Sequence, residues 1–437
     1  GSLIACGVKA APEPRAGCHR TRVRRGHHGE MSARRCLRLG AAAGALVLVA
    51  CSTPTVESDG PSSEPAPSST ELFDIDERDP LPFPGYEVDR VTIAPLPGAN
   101  RPDDSTPALT GWAAFDAELT RQILGGGGSD AFAVTVAVGG EVVHEASFGA
   151  RIPDTLEAVE PTDRFRIASI SKPITAIVAL QLVEAGLVGL DEPVGVRAAG
   201  AVGVADPGRA GDITIRQLLT HTTGFAQYES LFFRNQVASC DEAAAVGFSR
   251  AIGGGGYRYS NMNYCVLGLV IEQVTGQDYE AAVYERLLTP LGLSGLRLAP
   301  TYDPGPGEVE HRSVPGRNYM EVLAAAGAWV ATPTDLVTIF DSLDHTTPGF
   351  KPLSADTVAM MLQTPQGTER GYGMGVILYG GGTFGHTGTI ESTHAMVFDR
   401  ADDVTWAVTV SGENPSETPR LAGMVDRALA AGGFVAG

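Results

Sequence analysis

The chain has 437 residues, of which 43% are hydrophobic and 19% charged, so most of it can bury a core and a disordered polyampholyte is excluded. Its formal net charge is −19; residues 1–50 hold nine basic and two acidic residues, which leaves 23 basic against 49 acidic residues from Cys51 onward, a net charge of −26. Such an acidic body repels phosphate backbones and anionic lipid surfaces, so we exclude nucleic acid as a partner.

Residues 31–50 have the pattern of a lipoprotein signal peptide. Three arginines between positions 34 and 38 form its positive region, and the apolar stretch 39–50 is too short for a comfortable transmembrane helix. The stretch ends in Leu-Val-Ala-Cys51, which resembles the lipobox of bacterial lipoproteins, whose cysteine is lipidated. We therefore expect a secreted protein, lipid-anchored through Cys51 to the outer face of the cytoplasmic membrane. An ordinary signal peptide or an uncleaved anchor is the alternative.

The rest of the chain divides by composition. Residues 1–30 precede the apparent start and have doubtful status, so we exclude them from the fold. Residues 51–108 comprise Cys51 and a flexible linker that is rich in Ser and Pro up to Thr70 and rich in Pro and Asp thereafter. Residues 109–437 form the folded domain.

Periodicity predicts the elements of this domain. Helical spacing of apolar residues is found at Trp112–Leu124, Ile174–Ala185, Ile213–Leu219, Tyr264–Val274, Tyr279–Leu288 and Leu421–Ala431. Two hairpins are predicted, one from Ala131–Val138 and Glu141–Phe148, the other from Thr393–Phe398 and Val404–Val410. Strands at both chain ends with helices between them predict an α+β fold. It consists of an antiparallel sheet from both chain ends, flanked by helices, with an inserted all-helical region.

The six cysteines show no metal-ligand spacing, and we expect no metal or organic cofactor. Cys240 and Cys265 are able to pair in an oxidising compartment. Two isolated thiols with apolar neighbours are more often simply packed, so we expect them to be unpaired.

The segment Ser169-Ile170-Ser171-Lys172 precedes a strongly apolar helix. A Ser at the start of a helix and a Lys three residues later lie on one face, and the helix dipole favours a developing oxyanion there. Burial depresses the pKa of a Lys, whose neutral amine then accepts the proton of the hydroxyl. By itself this motif is weak, because Ser169 as an N-cap beside an exposed Lys172 gives the same pattern.

Two further segments carry polar groups of the kind that acyl transfer needs. Tyr259-Ser260-Asn261 offers a phenol that ionises or relays a proton and an amide that orients a carbonyl. His386-Thr387-Gly388-Thr389 suits an edge strand that lines a cleft, with a glycine for close backbone approach. An aromatic turn and a strand-end histidine with a glycine bulge are the structural alternatives.

Together and in this order, the three segments resemble the serine β-lactamase and penicillin-binding family. The second segment begins with a tyrosine, and in this it resembles the motif of the class C β-lactamase branch. That branch includes D-Ala-D-Ala carboxypeptidases, D-aminopeptidases and esterases. Three other segments resemble the same branch, so that the resemblance covers about residues 110–433: Leu218–Gly224, Ala326–Asp335 and Gly371–Gly375.

The resemblance implies a role for each matching residue. Ser169 is the acylated nucleophile, Lys172 is its base, and Tyr259 relays a proton to the leaving group. The backbone N–H groups of Ser169 and Thr389 form the oxyanion hole. The substrate-binding residues are Asn261, His386, Thr387, Gly388 and Thr389. We interpret His221, in Leu218–Gly224, as structural.

The third segment departs from the pattern of efficient β-lactamases, which carry Lys where this chain has His386. A mostly neutral His attracts a substrate carboxylate less strongly. We therefore expect an extracytoplasmic serine hydrolase that forms an acyl-enzyme with peptides or amides, or else with esters. Its substrate is a small peptide, an ester or a β-lactam, and peptidoglycan is a candidate partner. β-Lactam hydrolysis is one alternative; a non-catalytic lipoprotein that binds peptidoglycan or a partner protein is the other.

Overall fold

The computed structural model describes residues 109–434. The predicted signal peptide, lipidated Cys51 and linker therefore lie outside the described residues. The strands are β1 (Ser129–Val138), β2 (Glu141–Gly149), β3 (Phe165–Arg166), β4 (Arg297–Leu298), β5 (Trp329–Ala331), β6 (Arg370–Tyr372), β7 (Ile377–Gly380), β8 (Thr383–Ile390), β9 (Thr393–Asp399) and β10 (Val404–Gly412).

Seven of these strands form one antiparallel sheet in the order β2-β1-β10-β9-β8-β7-β6. Strand β1 pairs with β10, so that Phe132 lies opposite Val410. This pairing confirms the prediction of a sheet assembled from both chain ends. Both predicted hairpins are present, and the first turns at Gly139-Gly140, where both glycines have positive φ. The short strands β3, β5 and β4 form a second, three-stranded sheet.

The helices are α1 (Trp112–Ile123), α2 (Ser171–Glu184), α3 (Gly195–Ala201), α4 (Ile215–Leu219), α5 (Glu229–Phe233), α6 (Cys240–Phe248), α7 (Asn261–Thr275), α8 (Tyr279–Val283), α9 (Tyr319–Leu323), α10 (Pro333–Asp341), α11 (Ala355–Met361) and α12 (Arg420–Gly432). A π-helical turn, Tyr284–Leu288, continues α8. All six predicted helices are present, with ends shifted by a few residues. The sequence interpretation missed the short helices α3, α5, α6, α9 and α11. It indicated only the start of α10, since the family-like segment Ala326–Asp335 resembles a helix entry.

The two faces of the main sheet pack against different helices. On one face α1 and α12, which come from opposite ends of the domain, cover a cluster that includes Phe115, Trp406 and Val425. On the other face lies the larger core, which contains α2 and α7. Helix α2 is apolar on all sides and almost wholly buried, as expected of a helix at the centre of a core. This placement buries Lys172.

Cys240 and Cys265 form a disulfide between α6 and α7, with Cα atoms 5.6 Å apart. The expectation that these thiols are packed but unpaired is therefore wrong. The physical reason is the packing of the two helices, which brings the cysteines within the Cα separation that a disulfide requires. The missed helix α6 begins at Cys240, and without it the sequence pattern contained no sign of that proximity.

Within residues 109–434, none of the helices is long and apolar enough to cross a membrane.

Candidate active site

Ser169 lies in a tight turn between β3 and α2. The turn is the 3-10 segment Ala168–Ile170, and Ala168 has φ 47°, a conformation that non-glycine residues rarely adopt. The side chain of Ser169 makes no capping hydrogen bond to α2, so the alternative interpretation of Ser169 as an N-cap is wrong. The turn instead places the half-buried hydroxyl of Ser169 at the N-terminal end of α2.

Lys172, one helical turn further on, is fully buried beside Ser169. Its Nζ atom lies 2.9 Å from Ser169 Oγ, 2.9 Å from Asn261 Oδ1 and 2.8 Å from the carbonyl oxygen of Ala326. The last two atoms only accept hydrogen bonds. A neutral amine gives its two N–H groups to these acceptors, and its lone pair then faces the Ser169 hydroxyl.

Burial lowers the pKa of Lys172 well below its usual value, because the ammonium form loses its hydration. The negative charge of Glu229 partly opposes this effect. The rings of Tyr259 and Tyr264 face Nζ at 4.9 and 5.7 Å and attract its cationic form. Burial is the largest of these influences on the pKa, so the amine is suited to act as a base.

The second segment forms the entry to α7. Ser260 caps the helix by accepting a hydrogen bond from Met262 N, and Asn261 is its first residue. Tyr259, directly before the cap, lies with its ring 4.9 Å from Lys172 Nζ, and its interaction with Ser169 tends to lower the pKa of the phenol. Burial raises the pKa of Tyr259 above its usual value, so the phenol is protonated at neutral pH. Of the two roles that the sequence left open, ionisation and proton relay, this environment favours the relay.

His221 contacts the residues at the start of α7. It is buried in the left-handed conformation, φ 56°, and its Nδ1 accepts hydrogen bonds from Ser260 N at 3.2 Å and Asn263 Nδ2 at 2.8 Å. Its ring packs against Tyr259 with centroids 4.3 Å apart. Burial and the charge of Lys172 lower its pKa well below the usual value. These contacts agree with the structural role that the sequence predicted.

The third segment lies within β8. Gly388 is the point of closest approach to the Ser169 turn: a Cβ atom there would lie 2.1 Å from the carbonyl oxygen of Ile167. Strand β7 pairs only with Thr383–Gly385, whereas β9 pairs with Phe384–Ile390. In the described part of the chain, the second half of β8 is therefore an edge that faces the turn, and Thr389 is exposed there.

His386 is placed differently from Thr389. Its ring is buried, Nδ1 donates to the carbonyl oxygen of Thr387 at 2.6 Å, and Nε2 accepts from Tyr372 Oη at 3.1 Å. Burial and the charge of Lys172 lower its pKa to about 3. His386 is thus buried and neutral, and both of its ring nitrogens make hydrogen bonds. A cationic anchor for a substrate carboxylate is not available from this residue.

Three contributors were not identified from the sequence. The Ala326 carbonyl and Tyr372 lie in segments that resemble the family, but no side-chain chemistry marked them. Glu229 lies in no motif, and its carboxylate influences the pKa values of both Lys172 and Tyr259. The structure brings Ser169, Lys172, Tyr259 and Asn261 together. It places Gly388 and Thr389 on the facing strand β8, in which His386 is buried.

Comparison with known proteins agrees with this geometry. A model of the β-lactamase family matches residues 117–431. Penicillin-binding protein 4 of Amycolatopsis lactamdurans is 33% identical over 169 residues, which are 37% of this chain and 42% of that protein. The chain spans 37 to 42% of the length of the first two curated relatives that it matches.

Two solved structures show the same fold. SurE with D-Leu is 28% identical, with a TM-score of 0.58, over 74% of this chain and 75% of that one. The D-amino acid amidase from Ochrobactrum anthropi SV3, complexed with L-phenylalanine amide, is 21% identical, with a TM-score of 0.60, over 73% of this chain and 97% of that one. The family match covers more than half of the chain and includes all three motif segments. The chain therefore belongs to the β-lactamase family.

Proposed function

We propose that this protein is a serine hydrolase that works through an acyl-enzyme, with D-amino-acid amides or peptides as preferred substrates and esters next. The observation that carries the proposal is the position of the Lys172 amine, buried and 2.9 Å from Ser169 Oγ. A binding protein has no physical need for a buried amine beside a hydroxyl. The similarity to SurE, whose structure holds D-Leu, supports the D-configuration of the substrate.

In this mechanism Ser169 Oγ attacks the substrate carbonyl while Lys172 takes its proton. The backbone N–H groups of Ser169 and Thr389 stabilise the oxyanion, and Asn261 orients the acyl carbonyl. The proton passes from Lys172 through Tyr259 to the leaving nitrogen as the C–N bond breaks. Water then hydrolyses the ester on Ser169 by the same route in reverse, and the acid product leaves.

The neutral, buried His386 supports this function over β-lactamase activity. β-Lactams and peptides with a free C-terminus both carry a carboxylate, and His386 offers it no positive charge. We expect β-lactams to acylate Ser169 slowly and to leave a long-lived adduct, because Lys172 and Tyr259 must serve both acylation and deacylation. Fast β-lactam turnover would establish the alternative.

Labelling of the intact protein tests the proposal. A fluorophosphonate should add to Ser169 in the wild-type protein and not in Ser169→Ala, as read by mass spectrometry. Hydrolysis of a D-aminoacyl amide, a D-Ala-D-Ala peptide, a short-chain ester and a cephalosporin, measured side by side, then ranks the substrates. If no probe labels the folded protein, the non-catalytic binding function replaces this one.

We also propose that the protein is exported and anchored through Cys51. The lipobox-like sequence supports the anchor, and the Cys240–Cys265 disulfide is the kind of bond that persists in oxidising compartments. Replacing Cys51 by Ala should leave an unprocessed precursor, as seen by mass spectrometry and membrane fractionation. Normal maturation of that variant would disprove the anchor. Peptidoglycan stays a candidate partner, tested by co-sedimentation of Ser169→Ala with isolated cell walls.

A further inference from the structure

Arg166 is a buried arginine at the end of β3, three residues before Ser169. Only 7% of its surface is exposed, and within residues 109–434 it forms no ion pair. A guanidinium keeps its charge in a protein, and a buried charge is costly unless its donors are well paired. The charge of Arg166 therefore depends on the neutral acceptors around it.

Three neutral groups accept hydrogen bonds from the Arg166 guanidinium. Nη1 donates to Ser313 Oγ at 2.9 Å and to Tyr319 Oη at 2.7 Å, and Nη2 donates to the carbonyl oxygen of Thr301. A cavity of about 80 Å³ adjoins Arg166 and is also lined by Thr301 and His311. Since the residue borders free space, these charge-assisted hydrogen bonds fix its position more than close packing does.

Two of the three acceptors are tied to α9. Tyr319 is the first residue of that helix. Thr301 is attached to it through hydrogen bonds, because its N and Oγ1 atoms donate to the Glu321 carboxylate at 3.1 and 2.6 Å and its Oγ1 accepts from Met320 N at 3.0 Å. Arg166 therefore joins the strand that leads to the nucleophile to the start of α9.

Helix α9 leads toward the catalytic base. It continues into the 3-10 turn Ala324–Ala326, and the carbonyl oxygen of Ala326 accepts from Lys172 Nζ at 2.8 Å. Thr175, about one turn further along α2, donates to the carbonyl oxygen of Ala325 at 2.7 Å. The placement of α9 thus determines the position of one of the two acceptors that orient the Lys172 amine.

We propose that Arg166 is a positioning residue of the reaction: by joining β3 to α9, it fixes the Ala326 carbonyl relative to Ser169 and so keeps the Lys172 lone pair directed at the hydroxyl. This inference rests on the proposed acyl-enzyme function. In the part of the chain that the structure describes, the Arg166 side chain hydrogen-bonds to neither the nucleophile nor the base. It acts through the segments that carry them.

The rate at which a fluorophosphonate inactivates the protein, measured as a function of pH, tests this role. Arg166→Lys keeps the charge but lacks the planar fork of donors, so we expect the maximal rate to fall about 10-fold, less than the roughly 10²-fold loss for a displacement of about 1 Å. The midpoint of the pH dependence should move to lower pH, because the ammonium form of Lys172 loses an acceptor and its pKa falls.

Arg297→Lys is the matched control. Arg297 lies opposite Val330 in the same three-stranded sheet, on the other side from Arg166, and its guanidinium donates to the Glu308 carboxylate rather than to α9. Its replacement should change neither the maximal rate nor the midpoint. A loss in Arg297→Lys equal to that in Arg166→Lys would overturn the inference, because it would assign the effect to the sheet in general.

Tyr319→Phe is a milder change at the same link and gives a result even if Arg166→Lys folds poorly. It removes one hydroxyl and should reproduce part of the rate loss, with a midpoint shift in the same direction. The double variant should lose little more than Arg166→Lys alone, since both changes break one connection. Additive losses would overturn the inference, and so would an unchanged midpoint with a rate loss no larger than the loss of folded protein. Absence of fluorophosphonate labelling in the wild-type protein is a different result, because it defeats the proposed function itself.

Discussion

Lys172 Nζ lies 2.9 Å from Ser169 Oγ, and its two other polar contacts are with atoms that only accept hydrogen bonds, Asn261 Oδ1 and the Ala326 carbonyl oxygen. These acceptors fix the direction of the amine lone pair once the ammonium has lost a proton. The base is therefore oriented by its neighbours before any substrate binds, so little reorganisation is needed when the reaction begins.

Replacing this base should stop acylation. Lys172→Arg keeps the positive charge, but a guanidinium does not accept a proton at neutral pH, so we expect kcat/KM to fall on the order of 10³-fold. Lys351→Arg is the matched control: Lys351 is the other lysine of the described chain, and it donates to Thr347 Oγ1 within the loop between α10 and α11. Equal thermal melting of the two variants would show that the loss is chemical. Near-normal activity of Lys172→Arg would contradict the assignment.

The rate of Ser169 labelling should rise with pH. Acylation needs the neutral amine, so the rate increases as Lys172 loses its proton, with a midpoint well below the usual lysine pKa of 10.5. The titration belongs to Lys172, because His386 has a pKa lowered to about 3 and His221 is also held neutral. Removing the negative charge of Glu229 should move the midpoint to lower pH. Fluorophosphonate inactivation rates of the wild type and Glu229→Gln give both midpoints, and an unchanged or higher value in the variant would refute the coupling.

The same lowered pKa predicts how stability depends on pH. The unfolded chain binds a proton at Lys172 that the folded chain binds more weakly, so the free energy of unfolding should rise with pH between the folded pKa and 10.5. Lys172→Met should reduce that slope. Urea denaturation at several pH values compares this variant with Lys351→Met, which removes a lysine whose pKa burial also lowers, but less far. Equal slopes in the two variants would exclude the effect.

Gly388 should tolerate no side chain. A methyl group there meets the Ile167 carbonyl oxygen at 2.1 Å, so Gly388→Ala forces β8 away from the Ser169 turn. A displacement of about 1 Å at an active site costs on the order of 10²-fold in rate, and we expect a loss of that size in kcat. Gly126→Ala, where a Cβ meets nothing within 4 Å, is the control. Full activity of Gly388→Ala would contradict this prediction, because it would show that β8 moves away from the Ser169 turn without loss of rate.

The disulfide should contribute stability without affecting chemistry. It links residues 25 positions apart, and its removal in Cys240→Ala/Cys265→Ala should lower the free energy of unfolding by about 2–4 kcal/mol. Activity at low temperature should be preserved, because the two sulfur atoms supply no group to the reaction, although Cys265 follows Asn261 by one turn of α7. Dithiothreitol should lower the Tm of the wild type and leave the double variant unchanged. Equal melting of oxidised and reduced wild type would contradict this role.

The sequence predicted the parts of the fold that have long, regular patterns. Helix α2 and the two hairpins are apolar over many residues, and Ser169, Lys172, Tyr259 and Asn261 follow from segments whose order is characteristic. The missed parts depend on contacts between distant segments. Strands β3 to β5 have two or three residues each, too few for a period, and the disulfide depends on how α6 packs on α7. The loop that leads to Glu229 is attached to α7 by the Ser260–Ala226 hydrogen bond, which no local pattern encodes.

The position of His386 also required the structure. Its residue type correctly indicated a group that is neutral near pH 7. A strand residue points to either face, however, and only its burial and the contact with Tyr372 show where the ring lies. Residue identity thus predicted its charge, and tertiary packing determined its exposure.

The pairing of β1 with β10 sets a condition on folding. Strand β1 gains its central neighbour only when β10 is present, since Ser129 pairs with Gly412. The turn that carries Ser169 likewise packs against Gly388 of β8, which is also synthesised late. Contacts this distant in sequence close slowly, because loop entropy is lost before they are made. A chain that ends before β8 therefore contains Ser169 and Lys172 but lacks the strand that faces them. Activity should appear in a single late step of folding rather than grow with chain length.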